Sequence, residues 1–202
     1  MVRSVISILF ILLSSFCLKA EKKWVPAGDP LPIISRFNEV NSDVVSIRCS
    51  FIQEKYVDIL EDKAISEGKY SYSAPDTVVI SYISPEEYTI SVTGNELSFS
   101  SEGKTATRKV SSDRRFSMLM DLMRTGGVPS SGEVSSYRIE AYDGGDEYRL
   151  DISSSRSNGA DLEVIIDKED MSLVSFRMKE GEEDYTMFIF KDKQIKFRQV
   201  QP

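Results

Sequence analysis

The sequence predicts a mainly β protein of the α+β class, built as one large curved antiparallel sheet with two amphipathic helices inserted. Three observations predict it. From residue 46 onward, apolar residues recur at every second position, the period of a strand with one buried face. The alternating runs are short and are separated by turn residues, among them Pro75-Asp76, Ser84-Pro85 and Gly94-Asn95, so consecutive strands pair antiparallel. Two other stretches carry the repeat of a helix instead.

Residues 1–20, MVRSVISILFILLSSFCLKA, are expected to be a signal peptide. Arg3 supplies the positive start, and the apolar run 5–16 is too short to span a bilayer comfortably. Leu18-Lys19-Ala20 ends in the small residue that signal peptidase requires. A retained membrane anchor and lipidation of Cys17 are the alternatives, although Phe16 is a poor fit to the small residue usual before a lipidated cysteine. Residues 21–202 then form a single domain, long enough to bury a core. Cleavage removes Cys17 and leaves Cys49 alone, with no partner for an intramolecular disulfide. Cys49 alternates with Ile47 and Phe51, which marks it as a small buried hydrophobe.

Residues 24–32 are a proline-containing lead-in. Ile33, Phe37, Val40 and Val44 fall on one face of a helix that Asn41-Ser42-Asp43 interrupts. The first strand follows, with Ile47, Cys49 and Phe51 on one face and Arg48, Ser50 and Ile52 on the other. The pattern repeats over 64–74, 77–83, 87–93 and 97–101. In residues 68–85 it places Gly68, Tyr70, Tyr72 and Ala74, then Val78, Ile80 and Tyr82, on a face without acid, base or thiol. A second helix follows, capped by Ser112 or Asp113 and ended by Gly126-Gly127 and Pro129. Its apolar stripe is Phe116, Leu119, Met120 and Met123, widened by Met118 and Leu122. Strands resume over 137–140, 147–152, 162–167, 173–178, 185–190 and 194–197.

The chain has no histidine, which removes Ser-His-Asp and Cys-His catalysis and every histidine metal site. Its carboxylates cluster at 143–147 and 182–184 in glycine-containing turns, where solvated loops are the default. No glycine-rich phosphate loop, Cys-x-x-Cys pair or calcium-loop spacing appears. No catalytic residue, metal site or cofactor is therefore expected, and the protein is not expected to be an enzyme. A net charge of −7 without a basic cluster argues against nucleic acid or an anionic membrane as partner. Two helices are too few to cover the sheet fully. Either it closes into a barrel or it stays partly open with the helices as a lid. Both leave room for an apolar cavity, and a filled core is the plain alternative.

The order of these features resembles the outer-membrane lipoprotein carrier (LolA) family of the Gram-negative periplasm. A signal peptide and an amphipathic helix precede a strand with Phe-x-Gln, here Phe51-Ile52-Gln53. A glycine-led strand then runs from Gly68 to Pro75, a second to Pro85, and a third to the Gly94 turn. Leu97-Ser98-Phe99, the methionine-rich helix and the closing strands follow in order over nearly all of residues 21–202. The family commonly has arginine just before the first proline, where it helps hold the lid shut, and tryptophan midway along the next strand. Here those positions are Ala74 and Ile80, so a lid held less firmly is expected.

The resemblance implies an incomplete antiparallel β-barrel with a helical lid over an apolar cavity. It also implies a periplasmic carrier that takes lipoprotein acyl chains toward the outer membrane. Phe51, Tyr70, Tyr72, Val78, Ile80, Tyr82, Ile90, Val92, Leu97 and Phe99 would line the cavity. Phe37, Phe116, Leu119, Met120 and Met123 would form the lid, where flexible methionines suit a surface that repacks around cargo. The partners would be acyl chains of lipoproteins or other lipids, an inner-membrane donor and an outer-membrane acceptor, with the carrier itself a monomer. A lipid-sensing or protein-interaction domain on the same fold, and a structural β-protein with a filled core, are the alternative functions.

Overall fold

The computed structural model describes residues 22–109, 122–123, 137–154 and 161–199. The expected signal segment lies outside the described residues, as do Phe116, Leu119 and Met120. Among the described residues, twelve strands form one open antiparallel sheet. They are β1 (Val25–Gly28), β2 (Val44–Val57), β3 (Asp62–Ser73), β4 (Thr77–Ser84), β5 (Tyr88–Thr93), β6 (Glu96–Ser101), β7 (Lys104–Lys109), β8 (Tyr137–Asp143), β9 (Glu147–Ser154), β10 (Asp161–Asp167), β11 (Leu173–Lys179) and β12 (Tyr185–Phe197). Helix α1 (Leu31–Ser42) lies between β1 and β2.

The strand order is β1-β8-β9-β10-β11-β12-β2-β3-β4-β5-β6-β7. It is two meanders, β2 to β7 and β8 to β12, joined where β12 pairs with β2. These are the two longest strands, of 13 and 14 residues. Among the described residues β1 and β7 are the free edges, and the sheet curves without closing. This is the incomplete barrel that the resemblance implies.

Strand alternation puts one set of side chains inside. Along β4 the buried residues are Val78, Ile80 and Tyr82, while Val79 and Ser81 are half-buried on the other face and Ile83 is exposed. The same face runs on through Val164, Phe176, Phe188 and Phe190 of β10 to β12. Helix α1 lays Ile34 and Phe37 against this core. Pro30 and Pro32 open α1, where a missing N–H costs nothing, and Asp29 accepts the Leu31 N–H at 3.0 Å.

Four details differ from the sequence reading. Val44 begins β2 and is not part of α1, which ends at Ser42. Asn41 does not simply break the helix. It is buried, and its Nδ2 donates to the Phe37 carbonyl at 2.8 Å and the Met171 carbonyl at 3.0 Å, tying α1 to the β10–β11 turn. Residues 185–190 and 194–197 are one strand with an irregularity between Lys191 and Gln194. β1 and β7 are additional strands, and every residue in both is exposed, so no buried face marks them in the sequence.

Candidate functional site

The concave face is built from side chains brought into register by backbone pairing. Phe51 sits opposite Gly68, Tyr70 opposite Ile80, and Tyr72 opposite Val78. Ile80 then faces Ile90, Val78 faces Val92, Ile90 faces Phe99, and Val92 faces Leu97. All ten residues expected to line a cavity thus share one face of β2 to β6.

Gly68 explains the glycine-led strand. A Cβ there would lie 2.6 Å from the Phe51 ring and 2.3 Å from the Ser81 carbonyl oxygen. Only a residue without a side chain lets Phe51 lie flat across β3. The Phe-x-Gln motif gains a second role, because Gln53 Oε1 accepts the Tyr82 hydroxyl at 2.6 Å. Burial pushes the Tyr82 phenol well above its ordinary value, so it stays a neutral donor.

Aromatic rings run in a continuous path across the face. Phe176 stacks on Phe188 at 5.1 Å, Phe188 meets Phe51 at 5.5 Å, and Phe51 meets the Tyr82 edge at 5.2 Å. Tyr82 stacks on Tyr88 at 4.3 Å, and Tyr88 contacts Phe99 at 5.4 Å. Such pairs prefer these offset and edge geometries. The path starts under full burial at Phe176, which is 1% exposed, and ends at Phe99, which is 45% exposed. Sequence reasoning does not single out Phe176, Phe188 or Tyr88. The period-two pattern of 173–178 and 185–190 carries the signal for the first two.

Two recesses open on this face among the described residues. One, of about 30 Å³, is bounded by Ile47, Cys49, Tyr70, Leu122, Met123 and Phe190, with Lys193 at its polar end. The second is an open apolar groove of about 460 Å³ along Ile90, Leu97, Phe99, Ala106, Thr107 and Arg108. Of the ten residues, Tyr70 lines the first, and Ile90, Leu97 and Phe99 line the second. Phe51, Tyr72, Val78, Ile80, Tyr82 and Val92 are buried between them, packed into the core cluster.

Of the expected lid residues, Phe37 is fully buried on the core and Met123 is 3% exposed. The Tyr70 hydroxyl donates to the Met123 carbonyl. This bond supplies a tie from the sheet to the 122–123 segment where Ala74 cannot. Burial pushes the Tyr70 phenol far above its ordinary value, and pushes the Cys49 thiol up to about 12, so both stay protonated. Cys49 is a buried, unreactive side chain by that measure. Apart from Lys193 and Arg108 at the edges of the two recesses, the face offers hydrocarbon, aromatic rings and neutral hydroxyls, which is chemistry for holding apolar matter.

No protein-family model matches the chain, and no curated protein matches it. Several solved structures share its outline. A LolA superfamily protein from Nitrosomonas europaea is 9% identical, over 88% of this chain and 96% of its own, with a TM-score of 0.43. A putative outer membrane lipoprotein-sorting protein domain from Vibrio parahaemolyticus is 9% identical, over 82% and 91%, with a TM-score of 0.44. An uncharacterized conserved protein from Thermus thermophilus is 9% identical, over 85% and 90%, with a TM-score of 0.48. At these scores the likeness is one of outline, and any functional reading rests on the geometry of the face itself.

Proposed function

We propose that the protein is a periplasmic, non-enzymatic carrier that holds the acyl chains of lipoproteins or other lipids on its concave face and moves them toward the outer membrane. In this reading residues 1–20 direct export, residues 21–202 act as one monomeric domain, and membrane-bound donor and acceptor proteins load and unload it. The observation that carries the reading is the aromatic path from Phe176 to Phe99, which leaves the buried core and continues into an open apolar groove. The apolar lining does not stop at the core but runs out to Phe99, 45% exposed, which lines the groove with Ile90 and Leu97.

The energetics suit such a task. Moving an acyl chain into water costs about 0.8 kcal/mol per methylene, so unaided transfer of a long chain is slow. A face of rings and aliphatic groups recovers that energy without leaving polar groups unpaired. A second reading, a structural protein with a filled interior, is favoured by the near-complete burial of Phe37, Phe51 and Phe176. The two separate on uptake. Phe99→Ser should leave the thermal melt almost unchanged and weaken binding of a fluorescent fatty acid severalfold. Absence of any uptake by the wild-type chain, with no lipid found by mass spectrometry of the purified protein, would leave the filled-core reading in its place.

A further inference from the structure

The open groove beside Phe99 is bounded on its outer side by β7, whose sequence Lys104-Thr105-Ala106-Thr107-Arg108-Lys109 holds three cations and no carboxylate. That sign stands out in a chain of net charge −7. Register decides where the cations go. Ser101 pairs with Lys104, Phe99 with Ala106, and Leu97 with Arg108. Directly paired residues of antiparallel strands share a face. Lys104, Ala106 and Arg108 therefore stand on the groove side, with Ala106 and Arg108 in its wall. Thr105, Thr107 and Lys109 alternate to the other face. There the hydroxyls of Thr105 and Thr107 bond to those of Ser100 and Ser98, at 2.9 and 3.0 Å, and Lys109 lies opposite Glu96.

Inward from Arg108 the paired row continues through Leu97 to Val92, and inward from Ala106 it continues through Phe99 to Ile90. The groove thus has a guanidinium at the free edge of the sheet and hydrocarbon and an aromatic ring behind it. Ala106, opposite Phe99, adds only a methyl group, and Phe99 stays 45% exposed. The volume, about 460 Å³, falls within the range of ligand pockets. Lys104 is four positions from Arg108, about 13 Å along a strand, so the two cannot grip one head group together. A guanidinium presents its donors as a flat fork that matches the oxygens of a phosphate in pairs. Charge on a free edge also discourages pairing with a second chain, and either sign serves that purpose.

We propose that this groove seats one acyl chain of an anionic phospholipid, with the phosphate on the Arg108 guanidinium at the sheet edge and the chain over Leu97, Phe99 and Ile90. This deepens the carrier reading and rests on it. It adds a selection that the apolar floor alone does not make, because among lipids with the same chain the net charge of the head group decides which is held.

The test titrates the wild-type protein with palmitoyl lysophosphatidylglycerol and palmitoyl lysophosphatidylcholine, below their micelle thresholds, as competitors of the neutral dye N-phenylnaphthylamine. The two lipids share a chain and a phosphodiester and differ in net charge. Lysophosphatidylglycerol should compete about tenfold more strongly, the lower end of the worth of a hydrogen bond to a charged group. Arg108→Gln should abolish that preference while lysophosphatidylcholine competes as before. Arg108→Glu keeps the edge charged and should reverse the preference. Lys109→Gln, on the opposite face, should leave it intact. Both positions are exposed, so thermal melts of all three variants should match the wild type. Equal competition by the two lipids in the wild type overturns the inference and leaves the carrier reading standing. So does an equal loss of preference in Lys109→Gln, which would reduce the effect to diffuse edge charge. Tighter binding of palmitate than of lysophosphatidylglycerol overturns the phosphate assignment. Inorganic phosphate that cancels the preference at the lipid's own concentration overturns the lipid assignment in favour of the free ion. Binding of neither lipid nor dye removes the carrier reading as well.

Discussion

The Tyr70 hydroxyl donates its hydrogen bond to the main-chain carbonyl of Met123, across 53 positions of sequence and inside the buried core. It fastens residues 122–123, which line the recess, to the C-terminal part of β3. Tyr70→Phe removes this hydrogen bond, at a cost of about 0.5 to 1.5 kcal/mol. Amide exchange at residues 122–123 should quicken accordingly, while exchange in β4 and β5 is unchanged. Unaltered exchange at Leu122 and Met123 would show that the contact does not hold the segment.

Stability should fall in alkali. Folded Cys49 has its thiol raised from 9.0 to about 12 by burial, and Tyr70 and Tyr82 are raised from 10.0 by the same cause. Each stays protonated in the folded chain where the unfolded chain has already lost its proton. The unfolded state therefore binds fewer protons above about pH 9, and stability declines as pH rises. Each group contributes at most about 1.4 kcal/mol per pH unit. Urea midpoints measured at intervals from about pH 8 to about pH 11 should drop steadily. Cys49→Ala should flatten the first part of that decline, and a decline of unchanged slope would absolve the thiol.

Asn41 is a sharp probe of polarity in the core. Its amide donates to two carbonyls, those of Phe37 and Met171. Asn41→Asp replaces the donor by an acceptor facing two acceptors. The new carboxylate is favoured only when protonated, so its folded pKa is raised. The variant should be several kcal/mol less stable than wild type near neutrality and regain part of the loss as pH falls toward about 4. A variant equally weak at both pH values would place the damage in packing rather than charge.

Gly68→Ala should destabilise by about 1 to 3 kcal/mol, the usual cost of overpacking. The added Cβ would meet backbone at Ser81 as well as the Phe51 ring, so a side-chain shift alone cannot relieve it. Gly68→Ala combined with Phe51→Leu should recover only part of the loss. A full recovery would mean the ring, not the Ser81 carbonyl, sets the constraint.

The parts of the fold that bury one face are legible in the sequence. In β4 the alternation of Val78, Ile80 and Tyr82 against Val79 and Ser81 follows from a sheet with one side on a core. β1 and β7 escape because an edge strand with no buried residue leaves no periodic trace, and only its backbone pairing defines it. Val44 is misplaced because helix and strand meet within two residues, where a single apolar side chain satisfies either period. Of the face itself, Tyr70, Ile80 and their neighbours are legible. Lys193 is not, because a bulge shifts the parity of everything after it, and the sequence 191–197 does not announce the shift.

The seam between β12 and β2 has a consequence for how the protein comes into being. Ser50 meets Lys191 across 141 positions, yet this seam lies in the middle of the sheet. A growing chain releases β2 early and β12 last. Until β12 arrives, β2 presents a bare row of backbone donors and acceptors beside an apolar face, the arrangement most prone to pairing with a stranger. Pairing over such separation is also slow, since the loop must close before any contact rewards it. The final strand thus acts as a clasp. Before it fastens, the two meanders are separate ribbons, each with an open flank. After it fastens, the vulnerable flank is an interior line of the sheet, paired along nearly its whole length.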